Sequence, residues 1–140
     1  DAYTLNGKVI GEIGQWELYC GGLGIPLIFL SGDHAACAEV VDLIPGIVTA
    51  AVKQGMSRSS AISMSKEAAR DLIRERIQLA VQSHRTRPIA PLVWGPPYVL
   101  EKRFFHTDVA DGAASQPGVE RVDSQTVRLR SDNILDLIYR

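Results

Sequence analysis

TLNGKVIGEIGQWELYCGGLGIPLIFLSGDH, residues 4–34, carries the pattern from which the rest of the chain is read. Leu5, Val9 and Ile10 flank Asn6-Gly7. Asn-Gly accepts the positive φ values of a two-residue hairpin turn, so two short strands are expected to pair across it. Gly11 to Gly22 then reads as a helix, with Ile13, Trp16, Cys20 and Leu23 on one apolar face. Gly21-Gly22 ends it. Ile25 to Leu30 is apolar without interruption, as in a strand covered on both faces. Ser31-Gly32-Asp33-His34 follows, with Asp33 placed to cap the next helix.

Working outward, Ala35 to Leu43 reads as a short helix stopped by Pro45-Gly46, and Ile47 to Val52 as a second buried strand. Strand, helix, strand at these lengths predicts a βαβ unit with a parallel pair. Lys53 to Ser63 reads as a loop of small polar residues. Ser65 caps the longest helix, Lys66 to His84, whose apolar stripe is Ala69, Ile73, Ile77, Ala80 and Val81. Prolines at 88, 91, 96 and 97 exclude helix there. Tyr98 to Phe105 alternates as a strand with one wet face. Thr107 to Ser115 reads as a helix, and Val119 to Val122 with Thr126 to Leu129 as a hairpin. Ser131 or Asp132 would cap a last helix through Tyr139. The expected fold is α/β: a βαβ-containing sheet flanked by helices, with a small antiparallel C-terminal portion. Residues 1–87 would form the α/β core and residues 88–140 a strand–helix–hairpin–helix portion packed on it, the whole belonging to a larger domain.

Composition is that of an ordinary globular chain, with 46% hydrophobic and 22% charged residues in 140. Fifteen basic against sixteen acidic residues leave a formal charge of -1, so neither nucleic acid nor an anionic membrane is expected as a partner. Arg70, Arg74, Arg76, Arg85 and Arg87 are interspersed with acids and read as a solvated helix face. No apolar run reaches the roughly 18 residues of a membrane span. No signal peptide is read, and a cytoplasmic location is expected. Cys20 and Cys37 fit no metal spacing and read as buried free thiols.

Few residues carry a chemical signal. Glu12 lies between glycines at a helix start. Its carboxylate is a hard oxygen donor, but the helix dipole favours an acid there whatever it binds. Asp33 and His34 follow a buried strand, the side of an open α/β sheet where ligands bind. Lys53, at the end of the next strand, and Arg58 among Ser57, Ser59 and Ser60 could hold an anion such as a substrate carboxylate. His84 reads as a helix C-terminal residue and His106 as part of a helix start. Gly22-Leu23-Gly24 lacks the third glycine of a dinucleotide loop, and no G-x-S-x-G elbow is present.

Asn6-Gly7-Lys8-Val9-Ile10-Gly11-Glu12-Ile13-Gly14 resembles the N-G-K-x-x-G-E-x-G segment of the DppA-type zinc-dependent D-aminopeptidases, peptidase family M55. The resemblance continues in order through Gly24-Ile25-Pro26, Ser31-Gly32-Asp33, Leu43-Ile44-Pro45-Gly46, Val52-Lys53-Gln54-Gly55, Ser57-Arg58-Ser59-Ser60-Ala61 and Pro117-Gly118-Val119-Glu120-Arg121-Val122-Asp123. What is resembled is the C-terminal half of such an enzyme. The resemblance implies hydrolysis of short peptides bearing N-terminal D-amino acids, with two zinc ions polarising the scissile carbonyl and activating water. It implies that Glu12 is one zinc ligand. An Asp-x-Glu pair, two further His ligands and the catalytic His belong to the family's N-terminal half, so no catalytic side chain is expected among these residues. Asp33, His34, Lys53 and Arg58 are the expected substrate-binding set, and His34 stands where the family has a second Asp. A ring-shaped homo-oligomer and a companion N-terminal polypeptide are the implied partners. The alternative from the residues alone is a non-catalytic assembly or small-molecule-binding α/β module.

Overall fold

Asn6 and Gly7 take φ values of 51° and 78° and reverse the chain between two short strands, as their sequence predicts. The computed structural model describes residues 2–139. Its elements run β1 (Ala2–Leu5), β2 (Lys8–Ile10), α1 (Glu12–Gly22), β3 (Phe29–Asp33), α2 (His34–Leu43), β4 (Val48–Ser57), β5 (Ser60–Ser63), α3 (Lys66–Thr86), β6 (Tyr98–Arg103), α4 (Thr107–Ala114), β7 (Val119–Arg121), β8 (Thr126–Ser131) and a 3-10 turn (Ile134–Asp136). The class is the expected α/β, with two sheets flanked by helices.

The chain forms two compact units. One is contiguous, Gly24–Leu92, and the other joins the segment up to Leu23 with that from Val93 onward. These units divide the chain at other points than the expected grouping into residues 1–87 and 88–140. Residues of β1 pair with β6, far along the chain, in the register Leu5↔Leu100 and Tyr3↔Lys102. Periodicity cannot reveal such a pairing, because neither strand names its partner.

The two-segment unit is a five-stranded antiparallel sheet in the order β2-β1-β6-β8-β7. Its core holds Leu5, Leu100, Val127 and Leu129, with Leu18 of α1 and Leu137. Along β6, Tyr98, Leu100 and Lys102 are buried while their neighbours are not, the alternation of a strand with one covered face. In α1 the buried side differs from the expected stripe. Gly14, Leu18 and Gly21 are buried with Gln15, Glu17 and Cys20, whereas Trp16 is 49% exposed. Glycine adds nothing to a hydrophobic pattern, so a face that packs through glycines is invisible to it. The expected last helix is a single 3-10 turn. Asn133, not Ser131 or Asp132, caps it by accepting from the Leu135 N–H, and Tyr139 at φ 66° cannot continue a right-handed helix.

The contiguous unit holds the three-stranded sheet β3-β4-β5. β3 and β4 are parallel and joined by α2, the predicted βαβ arrangement. Cys37, Val40, Ile44, Ala50 and Ala80 form its core. Two boundaries move. β3 starts at Phe29 and runs on through Ser31-Gly32-Asp33, whose backbone pairs with β4 whatever the side chains are. β4 continues to Ser57, because Lys53 and Gln54 pair with Ser63 and Ile62 of β5, so the expected loop is a hairpin. Ser65 caps α3 by accepting from the Ala68 N–H at 3.2 Å. Of the expected α3 stripe, Ala80 is buried and Ala69 and Ile73 are half-buried, but Ile77 and Val81 are 44% and 39% exposed.

Candidate functional site

Glu12 is the first residue of α1 and is exposed. Gly11 precedes it in extended conformation and supplies no side-chain cap, so the helix start carries Glu12 as its acidic group. Trp16 and Tyr19 follow at i+4 and i+7, a spacing that places them on the same helix side as Glu12. The rings of Trp16 and Tyr19 stack at 6.2 Å between centroids, and that of Tyr139 closes on them at 6.4 and 6.0 Å. Burial pushes the Tyr139 hydroxyl up from its ordinary value, and the negative charge of Glu12 adds to the shift. An aromatic cluster thus borders Glu12. The i, i+4, i+7 spacing was readable for two of its members; Tyr139 was not, since it arrives from the far end of the chain.

Zinc takes about four protein or water ligands, and its structural or catalytic sites draw at least three from His, Cys, Asp and Glu. Among the described residues no group of three or more such side chains is gathered. Glu12 fits as one oxygen donor, but these residues do not fit a zinc site by themselves. No hydrolytic step is assigned to them.

The second cluster lies in the contiguous unit. The parallel pairing of β3 with β4 sets Asp33 beside Lys53 across an irregularity between Gly32 and Asp33. The Asp33 carboxylate is engaged by backbone on both oxygens. Oδ1 accepts from the Ala35 N–H at 2.8 Å, capping α2, and Oδ2 accepts from the Gly55 N–H of β4 at 2.6 Å. His34, the first residue of α2, and Lys53 then share an open groove of about 300 Å³ with Gln54, Ser63, Ile62 and Met64. This groove sits at the carboxyl end of β3, where α/β sheets bind ligands. Both ionisable groups in it are potential cations and hydrogen-bond donors. Arg58 is not among its lining residues. It sits in the exposed turn between β4 and β5, which the hydroxyls of Ser57 and Ser60 close at 2.7 Å. The sequence had no signal for the Gly55 N–H as the second partner of Asp33.

His84 and His106 lie outside both clusters. His84 Nδ1 accepts from the Ile89 N–H at 3.1 Å after α3, and His106 precedes α4. Cys20 and Cys37 are buried free thiols, as expected. No described helix is long and apolar enough to cross a membrane.

The chain belongs to peptidase family M55, the D-aminopeptidases, whose family model matches residues 1–139. It is similar to the D-aminopeptidase of Bacillus subtilis (strain 168), with 30% identity over 136 residues, 96% of this chain and 48% of that one. It is also similar to a solved structure described as the zinc-dependent D-aminopeptidase DppA from Bacillus subtilis, a self-compartmentalizing protease. That match has a TM-score of 0.87 and 30% identity, and covers 96% of this chain and 48% of the other. The chain thus spans about half the length of the relatives it matches.

Proposed function

We propose that these residues form the Glu12-bearing part of a two-zinc aminopeptidase that removes N-terminal D-amino acids from short peptides. The observation that carries this reading is the family match across residues 1–139; Glu12, exposed at the start of α1, supports its part in it. Glu12 supplies one carboxylate to a zinc centre whose other donors lie outside these residues. His34 and Lys53 receive the substrate's carboxylate in the groove they line, and Asp33, through its bonds to Ala35 and Gly55, holds the groove in shape. The working enzyme is a homo-oligomeric ring in the cytoplasm, in keeping with a relative described as self-compartmentalizing.

The test is Glu12→Gln in the complete enzyme chain, with zinc measured by elemental analysis and hydrolysis followed on D-alanyl peptides. Replacing a neighbour of a metal ligand typically costs 10–100-fold in affinity or activity, so loss of a direct ligand should cost at least about 100-fold. Unchanged zinc content together with unchanged hydrolysis would remove Glu12 from the site. A second reading, a non-catalytic assembly or binding module, is favoured by the absence of any three-donor group among the described residues. Hydrolysis of D-alanyl peptides by the 140-residue chain alone would sink it.

A further inference from the structure

We propose that the groove lined by His34 and Lys53 selects the substrate's C-terminal residue, taking a free carboxylate together with an aliphatic side chain. This deepens the reading of that groove as the place of the substrate's carboxylate and rests on it. The groove has two chemically distinct parts. Lys53 brings a cation and His34 a ring N–H donor, and no acid is among the described residues that line it. Asp33 stands beside both, but it turns its oxygens to the Ala35 and Gly55 N–H groups at 2.8 and 2.6 Å and does not line the groove.

Val52, Ile62 and Met64 supply the apolar part. The Met64 N–H donates to the Val52 carbonyl at 2.9 Å, which carries the β4–β5 ladder one residue beyond Ser63. Ile62 and Met64 are two apart on that extended stretch, so their side chains share one face. They are 64% and 43% exposed. An occupant that suits a cation beside an exposed apolar pair carries an anionic group and an apolar branch close together. The last residue of a peptide has both on one Cα. A C-terminal amide would lose the charge-assisted bond, and a polar side chain would leave Ile62 and Met64 in water. The groove measures about 300 Å³. A cavity of about 150 Å³ takes a benzene-sized guest, so this one has room for a single residue with its side chain.

The test is calorimetric titration of N-acetyl-D-alanyl-L-leucine into the full enzyme chain. Its blocked amine keeps an aminopeptidase from cleaving it. The controls are its C-terminal amide and N-acetyl-D-alanyl-L-serine. The leucine acid is expected to bind about tenfold more tightly than either. Lys53→Met should erase the preference over the amide, and Met64→Ala should reduce the preference over serine. In the unaltered protein the methyl NMR signals of Ile62 and Met64 should shift with the leucine acid, so a variant that fails to fold leaves the question decidable. Equal binding of acid and amide, equal binding of the leucine and serine peptides, or preferences that the two variants leave intact overturn the proposal. So does the absence of heat and shift at about 10 mM peptide, where even a millimolar site would be filled. The readout is binding of an uncleaved ligand, so it separates from the zinc assignment. Selectivity kept while Glu12→Gln leaves zinc and hydrolysis unchanged still supports the groove. Selectivity absent while both depend on Glu12 overturns the groove alone.

Discussion

Asp33 reaches across 22 residues to Gly55, its Oδ2 accepting the backbone N–H of β4 at 2.6 Å while Oδ1 caps α2. One side chain therefore fixes both the start of a helix and the strand that carries Lys53. Asp33→Ala removes both bonds. An N-cap lost to alanine costs about 1 kcal/mol, and a backbone donor left without its partner adds a comparable amount. Chemical denaturation should show a loss of about 1–2 kcal/mol. A change within error would mean that water replaces the carboxylate at no cost.

Gly22 ends α1 against the 3-10 turn. A Cβ placed there would lie 2.7 Å from Cγ2 of Ile134 and 3.1 Å from Cδ2 of Leu135. Ile134 is buried, so it has little room to yield. Gly→Ala at a helix position normally stabilises by up to about 1 kcal/mol, whereas overpacking costs about 1–3. Gly22→Ala is expected to destabilise by about 1–2 kcal/mol, the clash outweighing the propensity gain. A raised melting temperature would show that the turn moves aside freely.

Asp123 shapes the turn between β7 and β8. Its Oδ1 accepts from the Gln125 N–H at 2.7 Å and the Thr126 N–H at 2.8 Å. The bond from the Gln125 N–H, followed by that from the Thr126 side chain, holds its carboxyl below the ordinary value. A carboxyl depressed by folding contributes stability above its unfolded pKa of about 3.9, and that contribution fades as pH falls through the folded value. Asp123→Asn should flatten the stability–pH curve below about pH 4 and leave a uniformly less stable protein above it. Parallel curves for the two proteins would disprove the link.

Burial pushes the thiols of both Cys20 and Cys37 up, with the negative charge of Glu17 adding to the first and the Gly32 N–H opposing the shift in the second. The reactive thiolate is thus scarce as well as covered. Alkylation by iodoacetamide near pH 8 should run about tenfold or more slower in the native protein than in urea. Equal rates would place at least one thiol in a segment that opens readily.

Local signals in the sequence translated well. Asn6-Gly7 makes the turn that its residues demand, and Asp33 and Ser65 cap the helices that follow them. These depend on neighbours a few positions away. The extension of β4 through Gln54-Gly55-Met56-Ser57 did not show, because hairpin bonds to β5 hold a polar stretch extended. Nor did the buried side of α1, where Gly14 and Gly21 pack and Trp16 stays outside. In the candidate site, the approach of Asp33, His34 and Lys53 followed from recognising a βαβ unit. Glu12 carried no chemical signal beyond its place at a helix start, and only the family motif raises it further.

The pairing of β1 with β6 has a consequence for the order in which a ribosome can finish this molecule. Gly24–Leu92 is continuous and can close its sheet as soon as α3 has emerged. β1 must instead wait, unpaired at the edge it will share with β6, while the later segment is made at about 5–20 residues per second. For those seconds the edge of β1 that β6 will cover stays open. A stall site or chaperone acting in that interval would influence the yield of one unit and leave the other untouched.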